Sequence, residues 1–223
     1  MTPNRFEKLQ QILRRRQLDL TVLMDNVHKA HNLSAIIRSC DAVGIHRVHG
    51  VSQLHQLKTN KDIASGAGKW VEVEQHDTLV GAIDHLKQQN MQVLAAHFSD
   101  QAIDFREIDY TKPTALLLGT ELYGVSDDGI RHADQHIVIP MGGMIASLNV
   151  SVAAAVILFE AQRQRELAGC YDTQQLDAQS YHDTLFEWSH PKLAQLYRNK
   201  GMAYPELDET GQVIESPPTS KRV

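Results

Sequence analysis

Hydrophobic and polar positions change period several times along this chain, and the changes mark its elements. Residues 4–17 carry Phe6, Leu9, Ile12 and Leu13 at helical spacing with arginines between them, which predicts an amphipathic helix. From Thr21 to Pro140, short apolar runs alternate with helical stretches. Strands are predicted at 21–24, 47–51, 71–73, 92–96, 115–118 and 137–139, and helices at 33–43, 60–64, 79–89 and 127–132. Gly44 and Asn90 each follow a helix where a left-handed cap residue belongs. Ser126-Asp127-Asp128 suits a helix start, because a hydroxyl and negative charge both favour free N-terminal N–H groups. A long small-residue helix follows at 147–168, then two shorter ones at 177–187 and 191–199. The polar end, 208–223, is expected to be poorly ordered.

Strands alternating with helices predict an α/β fold, a mostly parallel sheet with helices on both faces. Ala115-Leu-Leu-Leu118 shows no polar alternation, as a strand covered on both faces would not. In such sheets ligands sit beyond the carboxyl ends of the strands. Glu121 and the 142–149 loop fall there. Three parts are expected: a basic helical extension (1–20), an α/β domain (21–169) and a helical C-terminal extension with a polar tail (170–223).

Composition narrows the function. The 223 residues are 42% hydrophobic and 22% charged, ordinary for a globular protein, and the net charge is −5. A nucleic-acid partner would therefore need a local basic patch. Residues 1–20 offer one, with five basic residues against two acidic. Two unpaired cysteines, Cys40 and Cys170, predict neither a disulfide framework nor a zinc site. His28 with His31, and His46 with His49, have i,i+3 spacing, but no neighbouring acid or cysteine completes a metal site. No metal is expected. The longest apolar run, Val152 to Phe159, is too short to span a bilayer and the N-terminus is charged, so a cytoplasmic protein without a membrane partner is expected.

Three segments carry the candidate chemistry. Asn32-Leu-Ser-Ala-Ile-Ile-Arg38 places an amide and a guanidinium on one predicted helix. Six helical steps do not put both on one stripe, so they converge only if Asn32 lies in the preceding loop or a second subunit supplies part of the site. Read singly, Asn32 is an N-cap and Arg38 a surface charge. Gly119-Thr-Glu121-Leu-Tyr-Gly124 superficially resembles a dinucleotide fingerprint, but Glu121 would obstruct and repel a pyrophosphate. A carboxylate there suits a cationic ligand better; alone it is a turn residue. Ile137-Val-Ile-Pro140-Met-Gly-Gly143-Met-Ile-Ala-Ser147-Leu-Asn149 runs from a strand through glycines into a helix start, where Ser147 and Asn149 suit capping or ligand binding. Gly66-Ala-Gly68-Lys69 lacks the upstream glycine and following hydroxyl of a phosphate-binding loop, and no Gly-x-Ser-x-Gly elbow occurs.

Together the three segments resemble the three motifs of the SpoU branch of the SPOUT RNA methyltransferases. That resemblance covers most of the chain and implies a SPOUT fold with a C-terminal trefoil knot at about Gly119 to Asn149. It implies S-adenosyl-L-methionine as cofactor, with backbone contacts at Ala96, Gly119, Ile139, Met141 and Leu148. It also implies a homodimer and a tRNA partner, the methyl group going to the ribose 2′-hydroxyl of guanosine 18 in the D-loop. Alternatives are an rRNA or other tRNA ribose, or an RNA-remodelling module of the same fold. Catalytic roles are implied for Arg38, Asn32, Glu121, Ser147 and Asn149. RNA contacts, carried over or inferred from charge, are expected at Arg5, Lys8, Arg14, Arg15, Arg16, His31, Lys87, Arg163 and Arg165.

Overall fold

The computed structural model describes residues 1–51 and 67–214, so the helix predicted at 60–64 lies outside the described residues. Its strands are β1 (Leu20–Asp25), β2 (Arg47–Val51), β3 (Glu72–His76), β4 (Gln92–Ala96), β5 (Ile103–Asp104), β6 (Thr114–Leu118) and β7 (Gln135–Val138). Between and after them run α1 (Pro3–Arg14), α2 (Ala30–Ala42), α3 (Leu79–Gln88), α4 (Asp127–His132), α5 (Val150–Leu167), α6 (Ala178–Ser189) and α7 (Pro191–Asn199). The strands form one sheet, ordered β3-β2-β1-β6-β4-β7-β5, and every pairing is parallel.

Side-chain alternation on the central strands builds two cores. Val22, Met24, Leu116 and Leu118 face one way, onto Leu33, Ile36 and Ile37 of α2 and Ala154, Ile157 and Leu158 of α5. Leu23, Ala115 and Leu117 face the other way, onto Ala82, Ile83 and Leu86 of α3. β6 is buried along its whole length, as its unbroken apolar run requires. Gly44 and Asn90 both adopt positive φ after their helices, and Ser126 caps α4 through the Gly129 N–H.

Several expectations need correction. β5 has two residues, too few to leave a pattern, and was absent from the predicted strands. β3 begins one residue later than the apolar stretch suggests, because Glu72 pairs with Arg47 in the β2–β3 register. α2 begins at Ala30, so Asn32 lies inside it and Lys29 is its N-cap. α5 begins at Val150, leaving Ser147 in the loop. Residues 208–214 are ordered by Asp208, which accepts from Thr210 and Gln212, and by an antiparallel bridge between Leu207 and Val213.

The described chain divides into two compact units, Gln17–Asp172 and a second made of Met1–Arg16 with Thr173–Val223. In the second, α1 packs on α6, and Phe186 stacks on Tyr204 with ring centroids 4.7 Å apart. Arg16 is buried there, its guanidinium 5.2 Å over the Trp188 ring. In the first unit, Arg165 is also buried. It donates to Gln17 Oε1 at 2.9 Å and to the Tyr110 carbonyl at 3.0 Å, and it pairs with Asp19. Neither arginine has a face left for a phosphate, which corrects two of the expected RNA contacts. Among the described residues, no helix is long and apolar enough to cross a membrane.

Candidate active site

The carboxyl ends of β4, β6 and β7 open on one cavity of about 330 Å³. Leu118, Ile137, Ile139, Leu148 and Ile157 give it apolar walls, and Thr120, Glu121 and Ser147 add polar groups at its lining. Ala96, Gly119, Ile139, Met141 and Leu148, the residues singled out for the cofactor, all line it.

Backbone economy at the end of β6 sets the geometry. Thr120 and Gly124 exchange N–H···O bonds of 2.8 and 2.9 Å, closing a tight loop. A Cβ on Gly119 would lie 2.0 Å from the Gly124 carbonyl group, so only glycine permits that closure. Asp25, buried at the end of β1, accepts the Ser126 N–H at 2.9 Å and ties down the far side of the loop. Glu121 is thereby held toward α2.

There Asn32, 2% exposed, donates its Nδ2 to Glu121 Oε1. Asn149 donates its Nδ2 to Asn32 Oδ1 at 3.3 Å and accepts the Ser151 N–H at 2.9 Å, which makes it the N-cap of α5. Capping and site formation are thus the same act for Asn149. An ionised carboxylate only accepts, so the order Ser151 to Asn149 to Asn32 to Glu121 fixes both amide orientations. Lys29 lies 3.4 Å from Glu121 Oε2. Burial pushes the Glu121 carboxyl upward, but hydrogen bonds from the backbone, Asn32 and Lys29 outweigh it and hold the group below the usual carboxylate range.

Arg38 stands apart. It is exposed, does not line the cavity, and has no hydrogen-bond or ion-pair partner among the described residues. Its place six residues after Asn32 turns it roughly 120° away around α2. One chain therefore links Asn149 through Asn32 to Glu121, which lines the cavity with Ser147, and leaves Arg38 out of both the hydrogen-bonded set and the lining.

Of the expected RNA contacts, Arg5, Lys8, Arg14, Arg15 and His31 are exposed. Lys87 is tied to Asp134 at 2.7 Å and Arg163 to Glu160 at 2.7 Å, so both are partly neutralised. Three site residues escaped the sequence reading: Lys29, Asp25 and His97, which lines the cavity beside Phe98. Lys29 sits just before the Asn32 motif and offered a faint signal; the other two offered none.

The sequence model of the SpoU rRNA Methylase family matches residues 19–159, and that of the SpoU rRNA methylase C-terminal region matches 163–216. The chain belongs to the SpoU methylase family. It is 49% identical over 215 residues to the tRNA (guanosine(18)-2'-O)-methyltransferase of Escherichia coli K12, covering 96% of this chain and 94% of that one. Its fold is similar to the A. aeolicus TrmH/SpoU tRNA modifying enzyme, with a TM-score of 0.78, 43% identity, and 85% and 97% of the two chains covered. It is also similar to AviRb from Streptomyces viridochromogenes in complex with AdoMet, with a TM-score of 0.61, 27% identity, and 69% and 64% covered. Of the hydrogen-bonded set, Glu121 lines the cavity, and Asn32 and Asn149 stand behind it.

Proposed function

We propose that the chain transfers a methyl group from S-adenosylmethionine to the ribose 2′-hydroxyl of guanosine 18 in tRNA. The observation that carries this reading is the hydrogen-bonded set Asn32–Glu121–Asn149 at the edge of a cavity with apolar walls. The cavity fits the cofactor's chemistry: apolar side chains suit a nucleoside base, Gly119 contributes only backbone to the lining, and the Glu121 carboxylate suits a cation. Bound there, the cofactor would supply an electrophilic methyl group. Ala96, Gly119, Ile139, Met141 and Leu148 would hold it, and Ser147 would shape the loop beside it. Asn32 and Asn149 keep Glu121 ionised and aimed.

Arg38 is assigned to the substrate. A guanidinium stays protonated at any working pH, so Arg38 stabilises the developing alkoxide and the adjacent phosphate, and the proton leaves to a phosphate oxygen or water. Because Arg38 turns away from its own cavity, this role needs a second copy of the chain. An exposed apolar surface supports such a dimer: Val152, Val156 and Phe159 share a stripe of α5, and Leu122, Tyr123, Met144 and Ile145 are exposed at the loops around the cavity. We also read the 119–149 segment as the knotted part of the fold. RNA phosphates are assigned to Arg5, Lys8, Arg14, Arg15 and His31, in a cytoplasmic enzyme.

Incubation of the protein with labelled S-adenosylmethionine and unmodified tRNA, followed by mapping of the modified nucleotide, tests the reading. The label is expected on the ribose of guanosine 18. Label at another tRNA ribose, or on rRNA only, would overturn the substrate; retention of tRNA without any transfer would overturn the enzyme.

A further inference from the structure

On the opposite side of β1 from the cavity, the parallel register of β2 and β3 sets His49 opposite Glu74. His76 lies two residues beyond Glu74 on the same face. α3 packs against these strands and brings His85 to them. The ring centroids lie 5.2 Å apart for His49 and His76, 5.5 Å for His76 and His85, and 6.0 Å for His49 and His85. His49 Nδ1 is 2.9 Å from His76 Nε2. Glu74 Oε1 is 3.7 Å from His76 Nε2 and 3.6 Å from His85 Nε2. One ligand atom from each of His49, Glu74 and His76 falls within 4.8 Å of the others.

A tetrahedral ion bonded at about 2.0–2.2 Å places its ligand atoms roughly 3.3–3.5 Å from each other. The observed separations lie on both sides of that value. We propose that His49 Nδ1, His76 Nε2 and Glu74 Oε1 bind a divalent transition-metal ion of the zinc class, with His85 or water in the fourth position.

The donor set selects the metal. Two imidazole nitrogens and one carboxylate suit zinc, cobalt or nickel, whereas magnesium and calcium prefer all-oxygen surroundings. The outer groups are also arranged for it. Arg47 holds the other carboxylate oxygen, Glu74 Oε2, at 3.1 Å, so Oε1 is presented to the histidines. Without metal, the two ring nitrogens 2.9 Å apart share one N–H. On metal binding the ion occupies that position, and the proton moves to the other nitrogen of the same ring, so none need be released. His85 Nε2 is engaged with Gln89 Nε2 at 2.8 Å, which must open before His85 coordinates. His85 is accordingly the weakest ligand. The ion would staple β2, β3 and α3 together at the sheet edge, and nothing in the site rests on methyl transfer.

The test uses the untagged full chain, stripped with a chelator and titrated with ZnCl2 by calorimetry and with CoCl2 by visible absorption. One ion per chain is expected, with the intense visible bands of tetrahedral cobalt and no uptake of MgCl2. Glu74→Gln and His76→Gln should each weaken zinc binding at least about tenfold, and His85→Ala by less. No stoichiometric uptake by the wild type would overturn the site, as would affinity unchanged in both Glu74→Gln and His76→Gln. Should His76→Gln fail to fold, Glu74→Gln decides alone, since that carboxylate is partly exposed and the cobalt spectrum of the wild type is an independent reading.

Discussion

Two polar clusters lie on the same sheet, each built around one glutamate, and they are organised in opposite ways. At the cavity, Glu121 ends a line of donors that runs from Ser151 through Asn149 and Asn32. Every bond in that line has a direction, because its last member only accepts. At the edge, Glu74 faces three imidazoles whose ring nitrogens can each donate or accept. The first arrangement is oriented before anything binds, which suits catalysis. The second has spare lone pairs and no fixed direction, so it answers to protons and cations instead. Rigidity at one and sensitivity at the other follow from which partners surround the carboxylate.

The largest effect should come from the side chain that the cavity cluster lacks. Arg38→Ala is expected to lower transfer by at least about 10²-fold, the usual cost of losing a donor to a developing oxyanion, while tRNA is still retained. Mixing the Arg38→Ala and Glu121→Ala chains under exchange conditions sharpens the point. If a site draws on both protomers, random pairing restores about a quarter of wild-type activity, since half the dimers are mixed and each has one intact site. A mixture as inactive as its parents would place Arg38 and Glu121 in the same protomer's site and break the shared-site proposal.

Next comes Asn32→Ala, which cuts the line of donors at its centre. Transfer should fall about 10²-fold, because Glu121 loses its aim and Asn149 loses its acceptor. Melting should show a smaller loss, about 1–3 kcal/mol for a buried hydrogen-bonding group. If activity persists while stability drops, Asn32 is only a packing residue.

How far each cluster could be foreseen depends on what organises it. Asn32, Glu121 and Asn149 are far apart in the chain, but each sits in a short motif beside a predicted strand end or helix start, and the α/β topology gathers those ends. The turn of α2 that excludes Arg38 was readable too, from six-residue spacing alone. The edge cluster was not. His46 and His49 were visible as a pair, yet the ligand set forms only when strand register places His49 against Glu74, and register is not written in local spacing. Arg165 and Arg16 misled for a related reason: composition counts charge but not burial, and both guanidiniums are enclosed. The two-residue β5 and the late start of α5 were lost because short elements and capped loops carry little periodicity.

The edge cluster should reveal itself in acid. Burial holds the His49 imidazole neutral and lowers its pKa from the ordinary 6.5 to about 4, against the opposing pull of Glu74. The unfolded chain therefore binds a proton that the folded one refuses. That stability is present above pH 6.5 and is lost as pH falls toward 4, by at most about 3 kcal/mol. His46 and Arg47 hold the Glu72 carboxyl down at about 2, so a further loss follows as pH falls below its ordinary 4.5. Urea midpoints of the chelator-stripped protein measured between pH 7 and 4 should slope downward in the wild type and less steeply in His49→Phe. Equal slopes would mean that His49 is not the group that titrates.

The smallest effect belongs to Lys29, and it is the finest probe of the contrast. Its ammonium lies 3.4 Å from Glu121 with half of the lysine side chain exposed, so Lys29→Ala should cost no more than about 0.5 kcal/mol of stability. Glu121 should nevertheless become easier to protonate, since one of the hydrogen bonds holding its pKa down is gone. A protonated Glu121 donates as well as accepts, so only the ionised form fixes the direction of the remaining bond from Asn32. The acid limb of the rate profile should thus move to higher pH in Lys29→Ala, with the rate near pH 8 changed little. An equal fall at every pH would show that Lys29 touches substrate directly. An unmoved limb would show that the Asn32 amide alone keeps the carboxylate charged, and the orientation of the cavity cluster would then rest on two asparagines and no cation.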